Sequence, residues 1–317
     1  MTLINATFVE TAARLMARTS RNTQDDHDRN VDAGTYLVIP YFPNDVGRPA
    51  NERPLGPGVV SWLCPSIVVN DVPGENNFKR GEETRVTVDI GNYGAGTLTA
   101  PVYLKVWWSD PSAGFTTLNL FGQTTLAIPN GTVRRSMELV GVIPTSAPAH
   151  VCLLAQVWSP LDVGGSPLPD PMNDRHWAQL NINDLNVDAG QTIQFMFWVG
   201  NPSTQADEWE VSVANVSEET HEVVQRMRRS SHTPSAIHEL HLHDPRDLEA
   251  AVATFLRSRS TVVLKLAGGE RRPLVLTGRA PDAFARGSMA MLEITSAPAR
   301  RGQPHTGSIG LIIQPRH

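Results

Sequence analysis

Cysteine is nearly absent. Cys64 and Cys152 are the only two, 88 residues apart, and neither belongs to a CxxC pair. That excludes a thiolate metal site of the usual spacing. Both lie in apolar runs (Trp62-Leu63-Cys64 and Val151-Cys152-Leu153-Leu154), which predicts two buried free thiols. The alternative, one disulfide clamping two sheets, would need an oxidising compartment.

Charge is also sparse. Asp, Glu, Lys and Arg make up 19% of the chain, and the net charge is −5 with a pI near 6.1. A general nucleic-acid binder would be basic. No apolar run approaches the roughly 18 residues of a membrane-spanning helix. The N-terminus has neither a basic start nor an uninterrupted apolar stretch, so no cleavable secretory signal is read there. Catalytic signatures are missing too: there is no Gly-x-Ser-x-Gly elbow, P-loop or dinucleotide fingerprint. No cofactor is expected.

What the chain does have is 24 Gly and 24 Pro, with 40% apolar residues. That mixture suits short strands joined by tight turns around real cores. At 317 residues, two or three domains are expected. The clearest unit is Gly81–Asp110. Val86, Val88 and Ile90 alternate with Arg85, Thr87 and Asp89; Gly91-Asn-Tyr-Gly-Ala-Gly96 breaks the pattern; Val102, Leu104 and Val106 resume it. The reading is a hairpin-like corner of an antiparallel sheet.

This corner recurs. Gly190–Asn201 aligns on Gly81–Asn92 without gaps at an offset of 109, pairing Gly81 with Gly190, Gly91 with Gly200 and Asn92 with Asn201. Trp209, Val211 and Val213 then alternate like the second strand of the first copy. Other strands are read at Tyr36–Tyr41, Val59–Val69 (broken by Pro65), Leu118–Ile128, Val133–Val142, Ala149–Trp158, His176–Ile182, Thr261–Leu266, Pro273–Leu276, Ser288–Ile294 and Gly307–Ile313. The fold class predicted is mainly β: tandem immunoglobulin-like β-sandwiches over 59–183 and 184–317, the second with an inserted short helix near 245–258 behind the Asp244-Pro245 start signal. Residues 1–58 read as an N-terminal helix and extended arm.

The candidate sites are few. His238, His241 and His243 are the best metal ligands, although their spacing suits neither one strand face nor one helix face, and the solvated-strand alternative stands beside it. Asp170, Asn173 and Asp174 offer oxygens for calcium or, equally, caps for backbone groups. His150 shares a strand face with Cys152, but the apolar surroundings are wrong for a stabilised thiolate. Leu3, Ile4, Phe8, Leu15 and Met16 form the apolar stripe of the arm and suit a neighbouring subunit. Trp107 and Trp108 must point to opposite sides of a strand, and Trp108 is taken as the partner-binding ring.

Pro65-Ser-Ile-Val-Val-Asn70, Gly81-Glu82, Ile90-Gly-Asn-Tyr-Gly-Ala-Gly96, Val102-Tyr-Leu-Lys-Val106 and Asp110-Pro111 together resemble the cell-adhesion-related bacterial domain called CARDB, across about residues 60–183. Ser66 stands where that family usually has an acid. The resemblance implies an immunoglobulin-like sandwich used for adhesion, display or assembly rather than catalysis. The predicted function is therefore a non-enzymatic structural or interaction protein of a bacterial or phage-like multi-subunit assembly, a homo- or hetero-oligomer. It would be made in the cytoplasm without a cleavable signal and suit a released or surface particle. The rivals are a carbohydrate-binding or adhesive module that reads a glycan with exposed tryptophan, and a metal-dependent hydrolase at the histidine cluster.

Overall fold

The computed structural model describes residues 34–48, 52–56, 58–96, 100–148, 150–164, 168–246, 260–300 and 307–316. In chain order the strands of the first half are β1 (Leu37–Val38), β2 (Ile67–Val69), β3 (Val72–Pro73), β4 (Glu83–Asn92), β5 (Pro101–Ser109), β6 (Ser112–Ala113), β7 (Asn119–Ala127), β8 (Thr132–Arg135), β9 (Leu139–Val142), β10 (Cys152–Trp158) and β11 (Trp177–Leu180). Then come β12 (Ile182–Val187), β13 (Thr192–Gly200), β14 (Asp207–Asn215), a helix α1 (Glu218–Arg228), β15 (Thr233–Ser235), β16 (His238–His243), β17 (Thr261–Leu266), β18 (Arg271–Arg279), β19 (Ser288–Pro298) and β20 (Gly307–Pro315). The fold is mainly β, built as two β-sandwiches.

In the first sandwich, β4 is the spine of one sheet: it pairs with β1, β2, β8 and β9, and β3 extends β2. The facing sheet has the order β11-β10-β5-β7. Val86, Val88 and Ile90 of β4 meet Val102, Leu104 and Val106 of β5 and Leu153, Ala155 and Val157 of β10 in one buried core. Each of the valine, leucine and isoleucine side chains contributes roughly 1.5–3 kcal/mol by leaving water. The alternation read in the sequence is thus real, but the hairpin is not. β4 and β5 belong to opposing sheets and never pair. The chain therefore crosses from one sheet to the other between Asn92 and Pro101.

The physical reason is Asn92. Its buried side chain accepts the N–H groups of Tyr36 (3.0 Å) and Gly94 (3.2 Å) through Oδ1, and donates through Nδ2 to the Ile128 carbonyl (2.9 Å) and to Asn130 Oδ1 (2.6 Å). One amide thus ties the segments around residues 36, 94, 128 and 130 to the end of β4.

The second sandwich repeats this plan. β13 lies in the sheet β16-β18-β13-β6 and β14 in the sheet β12-β20-β19-β14-β17, to which β15 adds through β19. Phe195, Phe197, Val211, Leu276, Leu292 and Leu311 are among the side chains of the core between them. Asn201 arches the chain from β13 to β14 as Asn92 does: Oδ1 accepts Ser203 N–H (3.0 Å), and Nδ2 donates to the carbonyls of Gln205 (2.7 Å), Leu266 (3.3 Å) and Ala267 (3.1 Å). Gly81 and Gly190 precede the two equivalent strands with φ of 79° and 67°, a conformation that favours glycine.

Several element boundaries differ from the sequence reading. Of Val59–Val69 only Ile67–Val69 is strand; Val60–Cys64 is a buried turn, closed by Leu63 N–H to the Val60 carbonyl. Val133–Val142 splits into β8 and β9 because Ser136 intrudes, its hydroxyl accepting the Val88 N–H at 3.0 Å. His176–Ile182 spans the passage from β11 to β12, so it serves both sandwiches. The Glu218–His243 stretch contains α1, which the sequence reading passed over. Its start signals are Ser217, whose hydroxyl caps the Thr220 N–H, and the acidic pair Glu218-Glu219. The helix expected near 245–258 and the Leu3–Met16 stripe lie almost wholly or wholly outside the described residues. Among the described residues, no helix is long and apolar enough to cross a membrane.

The two sandwiches meet through a buried polar seam. Asn181 donates its N–H to the Trp62 carbonyl (2.8 Å) and its Nδ2 to the carbonyls of Ser112 (3.0 Å) and Ser308 (2.8 Å), while its own carbonyl accepts Gly310 N–H (2.9 Å). Gln179 joins it by donating to the Ser61 carbonyl (3.0 Å). The fully buried Trp62 indole lies flush on Gly310, where any Cβ would overlap it. Ser112-Ala113, drawn from the chain of the first sandwich, completes the seam as β6, which pairs in parallel with β13 of the second. A seam of directional hydrogen bonds fixes one relative placement of the two bodies.

Candidate functional site

The outward face of the β11-β10-β5-β7 sheet gathers aromatic side chains. Because Val102, Leu104 and Val106 point inward, Tyr103, Lys105 and Trp107 of β5 point outward. Trp158 of β10 sits opposite Tyr103, and their rings stack at 5.5 Å and 20°. Lys105 Nζ lies 5.2 Å from the Trp158 centroid, a cation–π contact, and has no ion-pair partner among the described residues. Trp107 stacks on Trp177 at 5.4 Å and 25°. The adjacent tryptophans do take opposite sides, but with the roles exchanged. Trp108 turns inward and packs against Ile143, Ala147 and Val151 at the core's rim, as do Phe78 and Phe121, so the outward ring is Trp107. Trp62, Trp177 and Trp209 are buried, and Trp198 lies under the Arg271 guanidinium at 3.9 Å.

This sheet ends in an open edge. β7 is nine residues long, Asn119-Leu-Phe-Gly-Gln-Thr-Thr-Leu-Ala127, without a charge or a proline. One side pairs with β5, with a bulge at Phe121 between the Val106 and Trp107 partners. On the other side no strand pairs with it among the described residues. β9 of the opposite sheet packs beneath it, Leu139 against Gly122 and Phe121 against Gly141, which holds the strand in place without pairing to it. Leu120, Gln123, Thr125 and Ala127 are exposed. Natural edges are usually shortened, charged or covered. Among the described residues, several other edges follow that rule: β1 and β3 have two residues each, β9 has four, β8 ends in Arg134-Arg135, β12 carries Asp184, β17 carries Lys265 and β11 is buried.

The predicted metal sites are arranged otherwise. A bulge with Glu239 at φ 51° brings His238, His241 and His243 opposite Arg279, Thr277 and Val275, so all three occupy one face. They stand in single file, with neighbours about 6.5–7 Å apart by strand geometry, a row rather than a converging set. Among the described residues, no three His, Cys, Asp or Glu side chains are grouped to hold a metal ion. Asp170 and Asp174 act as caps: Asp170 Oδ1 accepts Asn173 N–H (3.1 Å) and Nδ2 (2.7 Å), and Asp174 Oδ1 accepts His176 N–H (3.0 Å). Cys64 and Cys152 are buried free thiols; burial pushes Cys64 up to about 12 and Cys152 well above its ordinary value. Burial also lowers His150.

One polar cluster was missed. His176 lies buried between two carboxylates, Nδ1 2.7 Å from Asp174 Oδ1 and Nε2 3.0 Å from Asp162 Oδ1, the latter an ion-pair contact without good hydrogen-bond alignment. Burial alone would lower its pKa, but the two carboxylates outweigh that and raise it. Asp162 also accepts Leu37 N–H (2.6 Å) and pairs with Arg175 (2.6 Å), whose guanidinium covers the Tyr36 ring at 3.8 Å. The cluster fastens β1 across the sandwich. The Asp174-Arg-His176 spacing was its only local trace, because Asp162 arrives from a separate loop.

No family model matches the chain, and no curated protein matches it. Among solved structures, it is similar to red sea bream transglutaminase (8% identity, 79% of this chain and 31% of that one, TM-score 0.23). It is also similar to the collagen adhesin of S. aureus (7%, 78% and 91%, TM-score 0.24) and to the sialic acid binding region of a Streptococcus sanguinis adhesin (6%, 75% and 74%, TM-score 0.24). The chain spans about a third of the transglutaminase. At these TM-scores the likenesses carry no argument about its function.

Proposed function

We propose that this protein is a non-enzymatic interaction module of a larger assembly, and that it engages a neighbour by strand addition at β7. The observation that carries this reading is the nine-residue uncharged edge of a fixed sheet. Strand addition needs unpaired backbone N–H and C=O groups held in line, and alternate side chains supply the selectivity. The outward Tyr103, Trp107 and Trp158 lie on the same sheet and would extend the contact, since aromatic rings dominate interface energetics. The polar seam between the sandwiches lets the pair act as one rigid arm of an assembly. The CARDB resemblance of residues 60–183 and the apolar stripe Leu3, Ile4, Phe8, Leu15 and Met16 belong to the same reading, the stripe as a second contact for a neighbour.

Amide hydrogen exchange on the dilute full-length chain tests this. The outward-facing amides of β7 should exchange fast while those of β5 stay protected. Uniform slow exchange along β7 would mean that its edge is already satisfied, and the reading would fail.

The glycan reading rests on the same outward aromatics. Its support is weaker, because Tyr103 and Trp158 already use a ring face on each other, as do Trp107 and Trp177, and Lys105 covers Trp158. A sugar would need free ring faces. Glycan-array binding lost in Trp158→Ala would favour it over strand addition.

A further inference from the structure

We infer that the neighbour at β7 is a second copy of this chain, joined antiparallel about a two-fold axis so that two four-stranded sheets become one sheet of eight. This rests on the strand-addition reading above and deepens it.

Three features point to self-pairing. First, a strand that meets itself across a two-fold axis sets each of its side chains beside a copy of its own sequence, so any charge would face a like charge near the axis. Asn119–Ala127 has none, although the whole chain carries −5. Second, the middle of the strand is Gln123-Thr124-Thr125. Around an axis at Thr124, these side chains meet as Gln–Thr and Thr–Thr pairs, which form favourable cross-strand contacts. Third, the association closes. The far edge of the same sheet, β11, is buried: Gln179 is fully buried and donates to the Ser61 carbonyl, and Leu180 bridges to Leu63. A sheet with one open edge pairs once and stops, giving a dimer rather than a filament. The outward Leu120, 56% exposed, and the half-buried Trp107 opposite it lie on the face that flanks the new junction.

The test is a charge-swap experiment on the full chain, read by light scattering across a concentration series. Gln123 and Thr125 are both exposed, so Gln123→Lys/Thr125→Lys and Gln123→Glu/Thr125→Glu should keep the wild-type melting temperature to within a few degrees. Wild type should reach twice the monomer mass. Each charged variant alone should remain at monomer mass, because like charges then face each other at the axis. Mixed one to one, the Lys and Glu variants should recover the doubled mass.

A wild type that stays monomeric at its solubility limit overturns the proposal, as does a dimer that persists in both charged variants. A synthetic peptide of residues 119–127 separates the two levels. If it protects the β7 amides of a monomeric wild type, strand addition stands and self-pairing falls. If neither the chain nor the peptide protects β7, both fall.

Discussion

Asn92 and Asn201 do the same job by different means. Each stands at the end of a strand, accepts an N–H from the residue two positions on, and donates to a backbone carbonyl of another segment. The second stays within its own sandwich: its partners lie at 203–205 and at 266–267, where β17 ends. The first also fastens the start of β1. Its Oδ1 also takes the N–H of Tyr36, 56 residues away, and Tyr36 is in turn held by the Asp162–Arg175–His176 cluster. The same motif is therefore self-sufficient in one sandwich and dependent on an added strand in the other.

The largest effects should come from the asparagines themselves. Asn92→Ala leaves several buried backbone groups unpaired and loosens β1, at a cost on the order of 3 kcal/mol in chemical denaturation. Asn201→Ala should cost about 2 kcal/mol, because the Ser203 hydroxyl already bonds the Gln205 carbonyl and remains in place. Equal losses would remove the distinction between an arch that also holds β1 and one that does not.

A smaller effect should isolate the support around β1. His176 has a folded pKa above its unfolded value of about 6.5. Its stabilising contribution is then full below that pH and is lost as pH rises through the folded pKa. Asp162 has a lowered pKa, so its own contribution is lost only on the acid side, as pH falls. The stability gap between wild type and His176→Gln should be widest at mildly acid pH and narrow toward alkaline pH. A gap that does not change with pH would mean that His176 acts only by packing.

The smallest effect belongs to the second sandwich. Burial raises the pKa of Glu293, only partly offset by the Ser61 hydroxyl at 3.5 Å. The raised pKa costs stability above the folded pKa and nothing below the unfolded value of about 4.3. Glu293→Gln should therefore raise the melting temperature slightly at neutral pH, with the gain gone in acid. A loss at neutral pH would show that the carboxylate supports the seam in its charged form.

The sequence by itself determined the strands, the core-facing residues and the repeat. These follow from side-chain alternation and from glycine and asparagine at matched positions, both local properties of the chain. It also determined the fate of the cysteines, because their neighbours are apolar. Tertiary structure alone decided which sheet each strand joined. Alternation is identical for a hairpin and for an arch, and only the partners of the Asn92 amide, drawn from residues 36, 94, 128 and 130, separate the two. It likewise decided which tryptophan of the pair faced outward, and it set Asp162 beside His176. Most consequentially, it left β7 at the end of its sheet. An uncharged strand reads the same in the middle of a sheet as at its rim, and whether its second row of backbone groups finds a partner depends on how the remaining strands are arranged around it.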